Sequence, residues 1–496
     1  MPLDEAQGTA GVIRGMLTAV VAALFAASLP RAHAQSELLP APVASALAQA
    51  EIPEHAASFY VHEIGAQRPL LAVGSTRPMN PASSIKLVTA YAALELLGPA
   101  FQWVTEAQTA GALSNGVLEG DLVLKGRGDP KLTLENFWLL LRSLRGRGLR
   151  EIRGDLVLDR SYFAATDHDP ARFDEQPTRP YNTGPDALLV NFKAVRLFFV
   201  PDGEARLVRI VAEPALPQVQ IVNRLQLTNG PCGDWVNRMK VDAQGGSAAT
   251  RLSFSGRYAA SCGERERSYS VLPHAHYVLG LFRELWRELG GSFSGTVRDG
   301  AAGADARVLA AVESPPLAQV VRDMNKFSNN VMARQLYLTL GAEGAGEPAT
   351  LEKADRVIRD WLAAKGLAFP EMVLENGSGL SRVERISAQH LGQLLLASFR
   401  SPVMPEFIGS LPLAAMDGTM KKRLQDADVA GQAHIKTGSL TGVRSIAGFM
   451  LDAQGRRWVV VSIVNHPNAA NSQAAQDALL SWLHQRGTGG GSAAPR

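Results

Sequence analysis

Asn80-Pro81-Ala82-Ser83-Ser84-Ile85-Lys86 opens an apolar run that ends at Leu97-Gly98. Proline suits a first helical turn and glycine a stop, so the pattern predicts one helix from Asn80-Pro81 through Leu97. A spacing of three sets Ser83 and Lys86 side by side on one helix face. A serine hydroxyl is a poor nucleophile until a base takes its proton. A lysine is that base only when neutral, and burial or a second cation nearby drives it there. A helix N-terminus at Ser83 also aims backbone N–H groups at a developing oxyanion.

Two further motifs follow in order, Ser328-Asn329-Asn330 and Lys436-Thr437-Gly438. Each is weak alone; their order and surroundings carry the weight. Lys436 is the natural second cation. Ser328 is expected to lie near the first pair and pass a proton to a leaving amine. Asn330 offers an amide donor and an acceptor to a peptide. Lys436, with the hydroxyls of Thr437 and Ser439, suits a free C-terminal carboxylate. The N–H groups of Ser83 and Ser439 form the expected oxyanion hole. Gly438 is expected to let a substrate backbone lie close to the strand edge.

Outward from these motifs the chain changes texture. Ser58 to Ile64 alternates as a strand, Gly65-Ala66-Gln67 turns, and Leu70 to Val73 returns as a second strand. Residues 101–305 hold many short strand-like runs closed by Gly, Asp or Pro, read as one or two inserted β-rich modules. Within them Gly120-Asp121-Leu122-Val123-Leu124 and Gly154-Asp155-Leu156-Val157-Leu158 look alike, as two similar strands or a small repeat. Helical patterning covers the second motif from Val321 to Leu340, then Leu351 to Gly366 and Ala388 to Phe399. Ala433-His434-Ile435 leads into the third motif as a strand. Ser445 to Leu451 and Arg457 to Val464 are strands joined at Asp452-Ala453-Gln454-Gly455, and Asn471 caps a last helix through His484. The two ends are expected to share one antiparallel sheet, with the middle leaving and returning at the surface.

A chain of 496 residues suggests two or three domains. A net charge of +3 without a long basic run argues against nucleic acid as a partner. The slight basic excess suits an anionic wall polymer or a membrane surface. Arg14, the apolar run Met16 to Leu29, Pro30 and the small-x-small Ala32-His33-Ala34 read as a signal peptide over residues 1–34, cleaved before Gln35. Asp4 and Glu5 dilute its positive start, as a start codon downstream of Met1 would explain. The run is too short to span a bilayer comfortably, so export to the periplasm with at most peripheral membrane association is expected. In that oxidising compartment Cys232 and Cys262 are expected to pair, and closing a loop of about thirty residues contributes roughly 3–4 kcal/mol. His274-Ala275-His276 has no third ligand in view and reads as a loop, so no metal or cofactor is expected. Residues 487–496 are Gly/Ser/Ala-rich and read as a disordered tail.

The three motifs in this order are shared by β-lactamases and penicillin-binding proteins. Pro81 to Lys86 resembles the active-site helix of low-molecular-mass penicillin-binding proteins. Arg322 to Asn330, Asn376-Gly377-Ser378-Gly379-Leu380-Ser381-Arg382, Asp417-Gly418-Thr419-Met420 and Lys436 to Leu440 resemble the class C type, the penicillin-binding protein 4 group. Gly126 to Pro130 and the cysteine pair fit as well. The resemblance implies an α/β (α+β) fold. A transpeptidase-like domain (35–103 and 306–486), with antiparallel sheet and helices, is interrupted at 104–305 by two small β-rich domains, nested one in the other. It implies a serine D-alanyl-D-alanine carboxypeptidase and D,D-endopeptidase acting on peptidoglycan through an acyl-enzyme, with β-lactams as inhibitors. Ser83 is then the nucleophile, Lys86 the base and Ser328 the proton relay. Asn330 binds the substrate amide, and Lys436, Thr437 and Ser439 hold the terminal carboxylate. Arg382 is expected to touch the diaminopimelate end of the peptide. Asn329 stands where relatives often have Asp, at a position pointing away from the chemistry.

A serine β-lactamase is the nearest enzyme alternative. Class A enzymes need a Glu-x-x-Leu-Asn loop and class C enzymes a Tyr-x-Asn. The chain has neither, since none of its eight tyrosines begins the second motif. A non-catalytic wall-binding protein on the same fold is the other alternative. The intact polar constellation speaks against it.

Overall fold

A computed structural model describes residues 38–486, apart from 166, 247 and 248. The expected signal peptide and tail lie outside the described residues. The central sheet has five antiparallel strands in the order Ala433–Leu440, Val443–Leu451, Arg457–Asn465, Ala57–Glu63, Leu71–Val73. The two ends of the chain therefore share one sheet. Its inner strands are buried on both faces, and the two-residue period of a strand divides them. Val459, Val461 and Ile463 join one apolar cluster, while Trp458, Val460 and Val464 join another. Full burial of each such side chain stabilises by about 1.5–3 kcal/mol before its ordering entropy is charged.

The first cluster takes in the helices Lys86–Leu96, Leu317–Lys326, Asn330–Ala345, Leu351–Ala364 and Ala388–Phe399. On the opposite face Ala41–Gln49 and Gln473–Gln485 pack against each other. Three helical expectations need correction. The first helix starts as a 3-10 turn, Ala82–Ile85, so Ser83 precedes the α-helix proper. The single helix over the second motif is two, broken at Ser328, whose φ is 54°. Asn329 starts the second of them, its Oδ1 accepting the N–H groups of Val331 at 3.0 Å and Met332 at 3.1 Å. Apolar periodicity runs on through a three-residue break, so the pattern alone missed it. Asn471 caps nothing: it lies inside a 3-10 turn, Pro467–Ser472, where His466 Nδ1 accepts the Asn468 N–H at 3.2 Å.

The middle of the chain forms its own sheets. Val297–Asp299, Leu156–Asp159, Leu122–Lys125, Val104–Thr109 and Arg307–Glu313 make one in that order. The two look-alike segments are parallel neighbours in it, with Leu122 opposite Leu156. Its last strand, Arg307–Glu313, lies beyond residue 305 and pairs with Val104–Thr109. From within this unit Val195–Asp202, Leu207–Glu213 and Arg265–Tyr269 form a three-stranded sheet, and Val219–Thr228, Met239–Gly245 and Thr250–Ala259 form a second. One apolar cluster runs through all of them. Cys232 and Cys262 are bonded. The region also holds two amphipathic helices, Leu134–Gly146 and His274–Glu288. Leu140, Leu141 and Leu144 mark the buried face of one, and Val278, Leu281, Phe282 and Leu285 that of the other. His274 and His276 thus sit in a helix's first turn and not in a loop. Among the described residues no helix is long and apolar enough to cross a membrane.

Candidate active site

The 3-10 turn carrying Ser83 is seated by two asparagines. Asn80 Oδ1 accepts the Ala82 N–H at 2.8 Å, and Asn80 Nδ2 donates to the Ser381 carbonyl at 2.9 Å. Asn465 clasps Asn80 from the sheet, accepting its N–H at 2.8 Å and donating to its carbonyl at 3.0 Å. Beneath, Ser84 and Ser445 share a hydroxyl hydrogen bond of 2.8 Å, and Ser445 donates to the Pro81 carbonyl at 2.6 Å. Ala82 is held in the left-handed region, φ 45°, a strain of roughly 1–2 kcal/mol that these bonds over-determine. Ser83 is half-buried, so a substrate can reach it.

Lys86 is fully buried. Its Nζ donates to Ser83 Oγ at 3.1 Å, to Asn330 Oδ1 at 2.6 Å and to the carbonyl of Ser378. Burial, then the charge of Lys436, holds this ammonium well below its usual range, with Glu384 pulling the other way. Lys436, on the strand Ala433–Leu440, is also fully buried. It donates to Ser328 Oγ at 2.8 Å and to the Thr437 carbonyl at 2.7 Å, and burial brings it down to about 7. Two buried lysines thus stand on either side of two hydroxyls, one lysine to each. The left-handed turn at Ser328 is what frees its hydroxyl from the helical path. A cavity of about 650 Å³ opens beside Ser328, lined in part by Phe173, Phe192, Phe327, Asn330 and Ser439 as well.

The strand bearing the third motif is the last of its sheet, paired along its length with Val443–Leu451 and bridged on its other side at His434 to Leu413, which leaves the Lys436–Ser439 stretch as an edge. Exposed Ser439 and half-buried Thr437 follow Lys436 along it. Thr437 Oγ1 donates to Thr419 Oγ1 at 2.7 Å. Thr419 lies in the 3-10 turn Gly418–Met420, which Asp417 anchors by accepting Lys326 Nζ at 2.6 Å and the Leu413 N–H at 2.8 Å. Gly438 has a reason within the fold itself. A Cβ there would lie 2.2 Å from Ser445 Oγ and 2.6 Å from the Pro81 carbonyl, so glycine lets the strand close on the nucleophile turn.

Arg382 stacks 4.6 Å over Phe173 and donates to the Thr441 carbonyl at 3.1 Å. It lines a hollow of about 270 Å³ that shares Phe173 and Leu380 with the main cavity. Asn329 turns its side chain onto helix amides. His274 Nε2 bonds the Leu188 carbonyl at 2.6 Å, and no group of three or more metal-ligating side chains occurs among the described residues. Residues the motifs did not reveal also build the site: Ser378 through its carbonyl, Thr419 through its hydroxyl, and buried Arg334 and Glu384. Nothing in a single sequence separates a buried carboxylate such as Glu384 from a surface one.

Known proteins resemble this chain over most of its described length. The model of the D-Ala-D-Ala carboxypeptidase 3 (S13) family matches residues 39–486. D-alanyl-D-alanine carboxypeptidase DacB of Haemophilus influenzae is 27% identical over 394 residues, covering 79% of this chain and 81% of that one. The D-alanyl-D-alanine carboxypeptidase of Actinomadura sp. is 28% identical over 414 residues, 80% of this chain and 76% of that one. The crystal structure of penicillin binding protein 4 (dacB) from Haemophilus influenzae covers 88% of this chain and 99% of its own, at 25% identity and a TM-score of 0.74. The same protein complexed with a β-lactam gives a TM-score of 0.71 at 25% identity, covering 90% of this chain and 100% of its own.

Proposed function

Because the chain belongs to the D-Ala-D-Ala carboxypeptidase 3 (S13) family, we propose that its two serine–lysine pairs divide one acyl transfer between them. The protein is a serine-type D-alanyl-D-alanine carboxypeptidase of penicillin-binding fold. Ser83 Oγ attacks the carbonyl between two D-alanines of a peptidoglycan stem, and its proton passes to neutral Lys86. The N–H groups of Ser83 and Ser439 hold the oxyanion. Ser328, bonded to Lys436, delivers a proton to the leaving nitrogen as the C–N bond breaks. Water then cleaves the acyl-enzyme. Lys436, Thr437 and Ser439 receive the terminal carboxylate, Asn330 the substrate amide, and Arg382 the diaminopimelate end. The observation that carries this reading is the pairing of each hydroxyl with its own buried lysine, at 3.1 and 2.8 Å.

The same machinery acts on D-alanyl-diaminopimelate cross-bridges as a D,D-endopeptidase, and β-lactams acylate Ser83. Peptidoglycan lies outside the cytoplasmic membrane, which supports the periplasm as the compartment we propose for the enzyme. We take residues 104–313 as the insertion, carrying a second insertion over 195–269 within it, since the sheet pairings close at those points. The test is intact mass after incubation with benzylpenicillin, with peptide mapping and a Ser83→Ala control. One stable adduct on Ser83, absent from the control, is expected. A folded protein without an adduct overturns the acyl-enzyme, and rapid drug hydrolysis without accumulation points to a β-lactamase.

A further inference from the structure

Glu384 takes no part in the proton transfers above, yet its carboxylate is fully buried beside them. One oxygen, Oε1, accepts three backbone N–H groups: Glu375 at 3.2 Å, Asn376 at 3.0 Å and Gly377 at 3.0 Å. The other, Oε2, is buried without a hydrogen-bond partner. Burial pushes this carboxyl above its usual range, and the three donors converging on one oxygen, together with the charge of Lys86, pull it back towards the ionised form. The gathered loop runs directly into the site. The Gly377 carbonyl accepts from Thr89 Oγ1 at 2.8 Å, and the Ser378 carbonyl accepts from Lys86 Nζ. Ser378 is itself fixed, its N–H and hydroxyl both bonded to Asn376 Oδ1 at 3.0 and 2.5 Å. Gly379 then lies against the nucleophile turn, where a Cβ would come within 2.2 Å of the Ala82 carbonyl and 2.6 Å of the Ser83 nitrogen.

The charges around Lys86 come from three elements. Lys436 faces it from the edge strand, Arg334 from the helix Asn330–Ala345, and Glu384 from the loop after Ser381. Arg334, buried and bonded to the carbonyls of Tyr181 at 3.3 Å and Thr183 at 2.9 Å, faces Glu384 as well, as does the phenol of Tyr337. Glu384 is thus the negative group set against Lys86 and Arg334.

We propose that Glu384 is the positioning residue of the base: its carboxylate gathers the amides of residues 375–377, so fixing the Ser378 carbonyl against Lys86 Nζ, and it is the buried counter-charge to that lysine. This rests on the reading of Lys86 as the base. A negative charge favours the ammonium. Removing it leaves Lys86 facing cations alone, and the free amine then persists to lower pH.

The experiment is the rate of Ser83 acylation by benzylpenicillin against pH, for the wild type, Glu384→Gln and Glu384→Asp, with thermal unfolding of each. Glu384→Gln is expected to move the acidic limb down by about one pH unit, with a lower plateau. Glu384→Asp keeps the charge but withdraws it by a methylene. It is expected to leave the limb in place and to lower the plateau about tenfold, by loosening the loop. A folded Glu384→Gln whose limb does not move overturns the proposal. If that variant does not fold, a Glu384→Asp plateau equal to wild type overturns it instead. Lys86→Ala keeps the two failures apart: wild-type acylation there removes the base itself, while its loss with an unmoved Glu384→Gln limb removes only the role given to Glu384.

Discussion

Burying two ammonium groups is the largest electrostatic demand this site makes. Lys436 titrates at about 7 in the fold, against 10.5 for an ordinary lysine. Between those values the unfolded chain binds more protons than the folded one, so the folded state gains stability as pH rises from 7 towards 10.5 and loses it as pH falls back. Each unit of depression corresponds to about 1.4 kcal/mol. Lys436→Met removes the buried charge, so its melting temperature should exceed that of the wild type at pH 7, by a margin that shrinks towards pH 10. Thermal unfolding across that range checks this, and a margin independent of pH would contradict it. Asn330→Ala should slow acylation roughly 10- to 100-fold with little change in melting temperature, since it frees Lys86 Nζ from its 2.6 Å acceptor. Ser83, Lys86, Ser328 and Lys436 were legible in the sequence because chemistry restricts those positions to few residue types. Glu384 and Arg334 were not, because what makes them matter is burial against partners hundreds of residues away.

At the scale of elements, the site depends on a break and a close contact. Asn329 is a helix cap whose amide oxygen takes two backbone N–H groups. Asn329→Ala should therefore cost about 0.5–2 kcal/mol, while Asn329→Asp, which keeps the acceptor, should be near neutral in both stability and acylation. Chemical denaturation of the two variants distinguishes a cap from a catalytic group. Gly438→Ala tests the contact between the edge strand and the nucleophile turn. Its methyl has no room beside Ser445 and Pro81. Strand and turn must part, and penicillin acylation should fall about 100-fold, as displacements near 1 Å do. Most strands and several helices at both ends were legible from alternation, from apolar periodicity and from the stop at Gly98. The break at Ser328 was not, because the apolar period continues across it. The helices Leu134–Gly146 and His274–Glu288 were passed over among short strands, although Leu140, Leu141 and Leu144 show helical spacing.

Across the whole molecule, the middle region has its own sheets, its own apolar cluster and a disulfide. The double variant Cys232→Ala/Cys262→Ala should destabilise that region by roughly 3–4 kcal/mol and leave the acylation rate of Ser83 unchanged. Unfolding followed alongside penicillin labelling separates the two effects, and a parallel loss of both would show that the region and the site unfold as one. The β-rich middle was legible as a change of texture, but its last strand, Arg307–Glu313, was not, because a strand that returns to pair with Val104–Thr109 carries no local mark of its partner. The central sheet has a similar long reach: Ala57 pairs with Val464, and Glu63 with Trp458. The nucleophile is therefore synthesised early, on an element whose neighbouring strands are made last. The growing chain can pair Ala57–Glu63 with Leu71–Val73 at once but must keep its other edge, the one that Arg457–Asn465 will take, open while the middle region, with its shorter-range pairings, folds first. A chain ending at Leu451 should take no penicillin label, and in a pulse-chase experiment the label should appear only after full-length chain. The enzyme carries its own delay, so that Ser83 gains its seat only once the final strand has been made.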